Sequence, residues 1–215
     1  MYPTNLKIML KKGMFFIVSA GFCLTSCIDH EVIPAPVPQV ELDAHFIGNV
    51  AGSTVELTEN VNDYLNTSSV DLYISQQQVN STAVYFSTMS SPALLRSVSV
   101  GLGSVYWDAT NGETRPTLPE FNNFYSSPTN QVPPYFDNGT NGFVVRYTDG
   151  NGTQYSSKQD SPNFQDVSFV NVTQESGENG DFNLFTCDFN CYVYTQDGLD
   201  SIAIQNATFK GWFKR

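Results

Sequence analysis

The chain has 215 residues, with 10 Lys+Arg against 21 Asp+Glu and a formal charge of −11. That balance excludes a nucleic-acid binder, which needs Lys and Arg clustered against phosphates, and it argues against direct contact with anionic lipid headgroups. Sixteen Phe, eleven Tyr and two Trp among abundant Thr, Ser, Asn and Gly point to strands and turns, and the length suits one domain.

At the N-terminus Lys7, Lys11 and Lys12 precede the apolar run GMFFIVSAGFCL. The run has the length of a signal-peptide core and is too short for a membrane span, which takes roughly 20 apolar residues. Where an ordinary cleavage site would show an A-x-A pattern, the chain reads Leu24-Thr25-Ser26-Cys27. This resembles the lipobox of bacterial lipoproteins. The resemblance implies that residues 1–26 are a signal peptide, and that Cys27 carries a diacylglyceryl thioether, becomes the first mature residue and is acylated on its new amine. Cys23 fits worse, because bulky Phe22 stands where the motif takes a small residue. Each buried CH2 of an acyl chain contributes about 0.8 kcal/mol, so several chains together tether a protein firmly.

Ile28, rather than Asp, follows Cys27, which implies the outer membrane. Asp29 and Glu31 resemble the acidic surface-export signal of Bacteroidota lipoproteins, favouring the surface-facing over the periplasm-facing leaflet. Without residues 1–26 the charge becomes 7 − 21 = −14, for which plain solubility is the preferred reading. Residues 27–38 include Pro34, Pro36 and Pro38. Proline favours extended polyproline II geometry, so this segment is expected to be a semi-rigid stalk.

From residue 39 onward strand and turn signals alternate through a single expected domain, 39–215. Val40, Leu42, Ala44 and Phe46 share one face of a first strand, and "AG" turns it into STVELT as a hairpin. VDLYIS, with Val70, Leu72 and Ile74 on one face, is followed by strands in TAVYFSTM and LLRSVSVGLGSVYW. Residues 108–141 break the period-two pattern with five prolines, and PEFNNFYSS within them places Phe121, Phe124 and Tyr125 at helical spacing. GFVVRYT-DGNG-TQYSSK reads as a tight hairpin, because Gly and Asn tolerate the positive φ its turn requires. After NFQDVSFVNVT and the turn QESGENGD comes FNLFTCDFNCYVYT, with Phe185, Cys187, Phe189, Cys191 and Val193 on one face. QDGLD leads into a last strand, SIAIQNATFKGWFKR, expected to bulge near Asn206 where the alternation slips. The sum is an all-β antiparallel sandwich of nine or ten strands with one long irregular loop and one short helix.

No arrangement of residues calls for catalysis. Cys187 and Cys191, four apart on a straight strand, would lie roughly 13 Å apart, beyond the reach of a disulfide, so buried free thiols are expected. No second Cys/His pair completes a zinc site, and no metal or cofactor is assigned. His30 and His45, the only histidines, lack a nucleophile elbow to serve. DGNGT (149–153) has the start of a Ca²⁺-loop pattern without its later acid, and a hairpin turn accounts for it. The chemistry that remains is aromatic: Tyr106 and Trp107 run into the long loop with Tyr125, Tyr135 and Phe136. Rings beside Asn and Asp suit a sugar-binding face. Packing of the same rings in a satellite core under the loop is the favoured alternative.

Asp200-Ser201-Ile202 resembles the O-glycosylation acceptor motif of Bacteroidota, which makes Ser201 the candidate acceptor. Over most of its length the chain resembles the small β-sandwich lipoproteins of that phylum, through the lipobox, the acidic start, the YTDGNGTQYSS hairpin and the C-terminal DGLDSIAIQNATFKGWF. That resemblance implies no activity. The expected function is a non-catalytic binding module on the membrane through its lipid anchor, with a glycan or a surface protein as partner. The alternative is a structural accessory subunit of a fimbrial or nutrient-uptake assembly, and a hydrolase ranks third.

Overall fold

The computed structural model describes residues 39–75, 80–126 and 142–215. Leu24, Thr25, Ser26 and Cys27, together with Tyr135 and Phe136, lie outside the described residues. Ten strands account for most of the rest: β1 (His45–Val50), β2 (Ser53–Thr58), β3 (Leu65–Tyr73), β4 (Ser81–Ser90), β5 (Ser97–Trp107), β6 (Gly142–Thr148), β7 (Gln154–Ser157), β8 (Asp166–Gly177), β9 (Gly180–Tyr194) and β10 (Ser201–Lys214). A helix, α1 (Leu118–Ser126), follows β5 after a single 3-10 turn at Ala109–Asn111.

All pairings are antiparallel, in the order β2-β1-β10-β9-β7-β6-β5-β4-β3, with β8 also on β9. The all-β class and the strand number agree with the sequence reading. The two faces that meet belong to one continuous sheet, curled so that β1, β9 and β10 share a core with β4, β5 and β6.

Local chemistry explains the joints. Ala51 and Gly52, both at positive φ (52° and 81°), close the β1–β2 hairpin without splaying its strands. In β10 the register shifts between Ile204 and Ala207, with Asn206 at φ 49°, a conformation asparagine tolerates. The Asn206 amide donates to Asn190 Oδ1 at 2.8 Å, which keeps the bulge satisfied. Near the C-terminus the amides of Trp212 and Lys214 donate to the hydroxyls of Ser87 and Ser68. These bonds tie β10 to β4 and β3 where the sheet curls back.

The period-two pattern is realised in β9, where Phe185, Cys187, Phe189, Cys191 and Val193 are all buried. Phe185 stacks on Phe209 and on Phe213, and Phe143 meets Phe189 across the fold at 5.6 Å; such aromatic pairs contribute about 0.5–1.5 kcal/mol beyond area burial. β3 departs from the sequence reading. Val70, Leu72 and Ile74 are 38, 39 and 47 % exposed, because β3 ends the sheet and nothing among the described residues pairs its outer side.

The short helix forms where the aromatic spacing places it. Thr117 and Glu120 build a capping box: Glu120 Oε2 accepts from the Thr117 amide and hydroxyl, both at 2.7 Å, and Thr117 Oγ1 accepts from the Glu120 amide. The helix then buries Phe121 and Tyr125 against the sheet. Among the described residues no helix is long and apolar enough to cross a membrane.

Candidate functional site

Of the described members of the candidate aromatic platform, two are core. Trp107 is buried and donates from Nε1 to the Glu113 carbonyl at 3.4 Å. Tyr125 is buried too, stacked on Phe213, edge-on to Phe121 and Tyr85, and donating to the Leu102 carbonyl. Desolvation drives its phenol well above the ordinary tyrosine range. These two rings offer no face to a ligand: core packing, the favoured of the two readings, holds for both, and the binding assignment falls away. Tyr106 alone of the described members is open to solvent. It pairs with Thr82 at the end of β5 away from Ser97.

A groove of about 600 Å³ lies instead on the outer face of the curled sheet, across β4, β5, β6, β7 and β9. Strand register constructs it. In β5 the residues Val98, Val100 and Leu102 enter the core, and in β6 Phe143, Val145 and Tyr147 do the same. Alternation sends Ser97, Ser99, Arg146 and Thr148 to the other face. Cross-strand pairing then aligns Thr88, Ser99, Arg146, Ser156 and Tyr194 in one row, each directly opposite the next. At about 4.8 Å per strand the row spans roughly 19 Å. A second, parallel row holds Ser97, Thr148 and Gln154.

The floor is thus made of hydroxyls, with Thr88 Oγ1 and Ser99 Oγ linked at 2.7 Å. Arg146 stands in the middle of the row. Its guanidinium carbon lies 4.0 Å from the centre of the Phe86 ring, and Nη2 is 3.7 Å from Asp71 Oδ2. Gly101 makes this seat available. A Cβ there would fall 2.4 Å from the Phe86 ring and 2.6 Å from Val144, so only glycine lets Phe86 and Val144 meet above β5. At the other wall Lys158 Nζ sits 4.7 Å from the centre of the Tyr194 ring. The Tyr194 hydroxyl is fixed by Ser161 Oγ at 2.8 Å and Asn163 Nδ2 at 3.1 Å. Gln154 and Gln196 add amides.

Of the described residues lining the groove, two are cations and none is Asp or Glu. The carboxylates around the groove have partners of their own: Asp71 faces Arg146, Asp197 accepts from Thr195 Oγ1 and the Leu199 amide and feels the charge of Lys158, and Asp200 accepts from Tyr155 and Ser201. A row of donors without a carboxylate pair can bind a polyhydroxylated or anionic molecule, but it lacks the two acids that glycoside hydrolysis uses.

The other candidates are placed as follows. Ser201 is exposed and pairs with Tyr194, one strand beyond the groove. Cys187 and Cys191 are free and buried, and burial pushes both thiols far up in pKa, so neither is a ready nucleophile. His45 lies 3.0 Å from Glu56 on the β1–β2 hairpin. Among the described residues no group of three His, Cys, Asp or Glu is placed to hold a metal. Comparison with protein-family models, with curated proteins and with solved structures found no match.

Proposed function

We propose that this chain is a lipid-anchored binding module of the outer membrane, displayed at the cell surface, which holds a glycan in the outer-face groove without chemically changing it. The row Thr88–Ser99–Arg146–Ser156–Tyr194 carries the reading. Hydroxyls, a guanidinium and a phenol in register are the donors and acceptors that sugar hydroxyls need, and the tyrosine ring adds an apolar patch. The lipobox at Leu24–Cys27 supplies the tether, and the acidic residues behind it support the surface position.

Two experiments test this. Full-length protein in detergent micelles, applied to a glycan array, is expected to bind a subset of oligosaccharides saturably. An array with no signal above a denatured control sinks the glycan reading. Palmitate labelling of expressing cells is expected to mark the wild type and leave Cys27→Ser unlabelled; equal labelling of both would overturn the anchor.

A second reading, a structural subunit of a surface assembly, rests on β3. This nine-residue edge strand exposes Val70, Leu72 and Tyr73 and carries one charge, Asp71. Long apolar edges invite pairing with another strand. Crosslinking from Tyr73 on intact cells that captures a discrete partner would favour it over the glycan reading.

A further inference from the structure

We infer that the groove selects saccharides bearing an anionic group, a carboxylate or a sulfate, and that Arg146 and Lys158 determine this choice. The inference rests on the glycan reading of the groove and narrows it to a ligand class.

The chain as a whole is strongly acidic, with 21 Asp+Glu against 10 Lys+Arg, yet the groove lining holds two cations and no acid. A site for neutral sugars on such a surface would have no need of that local inversion. The two cations also stand in different states of commitment. Lys158 has no carboxylate within 4.0 Å among the described residues; it sits over the Tyr194 ring, and the Asp197 carboxylate feels its charge only from beyond ion-pair distance. Arg146 has one, Asp71, but at 3.7 Å that contact is longer than a hydrogen bond and leaves the guanidinium fork open.

Pre-organisation follows from the rings. Phe86 and Tyr194 hold the cations over their faces, so less side-chain freedom is lost when an anion arrives. Ser99 and Ser156 flank Arg146 directly on β5 and β7, and Ser156 stands between Arg146 and the Tyr194 ring that Lys158 covers. A sugar ring set on these hydroxyls would present its acid group to the guanidinium, whose planar fork matches carboxylate and sulfate oxygens.

The test is isothermal titration of the full-length protein in detergent with four probes. These are an oligogalacturonate, the same oligomer methyl-esterified, a sulfated chondroitin oligosaccharide, and a neutral malto-oligosaccharide. An acidic probe is expected to bind at least about tenfold tighter than its neutral counterpart, the gain typical of a charge-assisted pair. Whether the uronate or the sulfate binds better identifies the anion. Arg146→Gln is expected to remove about tenfold of the acidic affinity and Lys158→Gln somewhat less. Lys214→Gln, a matched loss of charge over Phe182 on a different strand, should leave it unchanged.

Asp71→Asn should tighten acidic binding by severalfold, because it removes the competitor for Arg146. A purely structural role for these residues would not produce that sign. Equal binding of the esterified and free oligomers overturns the selectivity while the glycan reading stands. Absence of binding to all four probes overturns both.

Discussion

Strands β5 and β6 present opposite chemistries on their two sides. On their inner side Val98, Val100, Leu102, Phe143 and Val145 are buried in one core together with the rings of Phe121, Tyr125 and Phe169. On the opposite side the same strands carry Ser97, Ser99, Gly101, Arg146 and Thr148. The inner face does the work of stability, since aromatic burial and ring contacts dominate core energetics. The outer face carries a small buried apolar cluster of Val84, Phe86 and Val144 together with the exposed rings of Tyr73 and Tyr106, and is shaped by register and glycine instead. Rings in this molecule therefore mark the core, and hydroxyls with cations mark the surface built for a ligand.

The sharpest way to break that division is to remove a ring from the inner side. Phe121→Ala deletes a fully buried side chain that meets Tyr85 at 5.0 Å and Tyr125 at 4.9 Å. The expected cost is about 3–5 kcal/mol of folding stability, read as a lower urea midpoint. Ligand affinity of the protein that remains folded should not change. Loss of affinity without loss of stability would mean that the aromatic wall, and not the outer face, recognises the ligand.

Gly101→Val addresses the outer face. The new Cβ would fall 2.4 Å from the Phe86 ring, so Phe86 must move and Arg146 must leave its seat. Overpacking of this kind costs about 1–3 kcal/mol. Here binding should weaken along with stability, unlike in the Phe121 variant. A variant as stable as the wild type in urea would show that β5 has slack above it and that the seat is not built by glycine.

Most of the architecture is legible in the residues because it depends on local pattern. Alternation located nearly all the strands, the slip at Asn206 located the bulge, and the spacing of Phe121, Phe124 and Tyr125 located α1. The groove is not legible in this way. Thr88, Ser99, Arg146, Ser156 and Tyr194 lie on five different strands, and each by itself is an ordinary polar residue on a solvated face. Only the pairing register makes them neighbours, and register is set by hairpin turns and core packing across the whole sheet. Trp107 could be read as surface or core, and the favoured core reading holds. Its neighbours in sequence, Asp108 and Asn111, are polar, but the residue two before it, Val105, faces the core, and Trp107 follows Val105. β3 fails in the opposite sense: its alternation is real, but an edge position leaves both faces half open.

The β6–β7 turn tests the polar chemistry at the end of the outer face. Partial burial works to raise the Asp149 carboxyl, but hydrogen bonds from the amides of Thr153, Asn151 and Gly152 outweigh it and leave the group below its ordinary range. A folded pKa below the unfolded one means that the folded state binds fewer protons as pH falls. The turn's contribution is therefore complete above about pH 4 and is lost as acid titrates the folded carboxylate. Thermal melts from pH 5 down to pH 3 should fall less steeply for Asp149→Ala than for the wild type. Parallel curves would show that Asp149 is not what holds the turn.

The smallest effect is expected at Tyr106, the one exposed member, among the described residues, of the aromatic set that sequence alone singles out. It lies on the outer face of β5, at the opposite end from Ser97 and Ser99, and lines no part of the groove. Tyr106→Ala should change stability by no more than about 0.5 kcal/mol, as surface substitutions do. Acidic-oligosaccharide affinity should stay at the wild-type value. If Tyr106→Ala instead weakened binding as much as Arg146→Gln, the ligand would have to run lengthwise along β5 rather than across the strands. The cross-strand row would then be one end of a longer site, and exposed rings and hydroxyls would share in recognition that the contrast between the two faces assigns to the hydroxyls and cations.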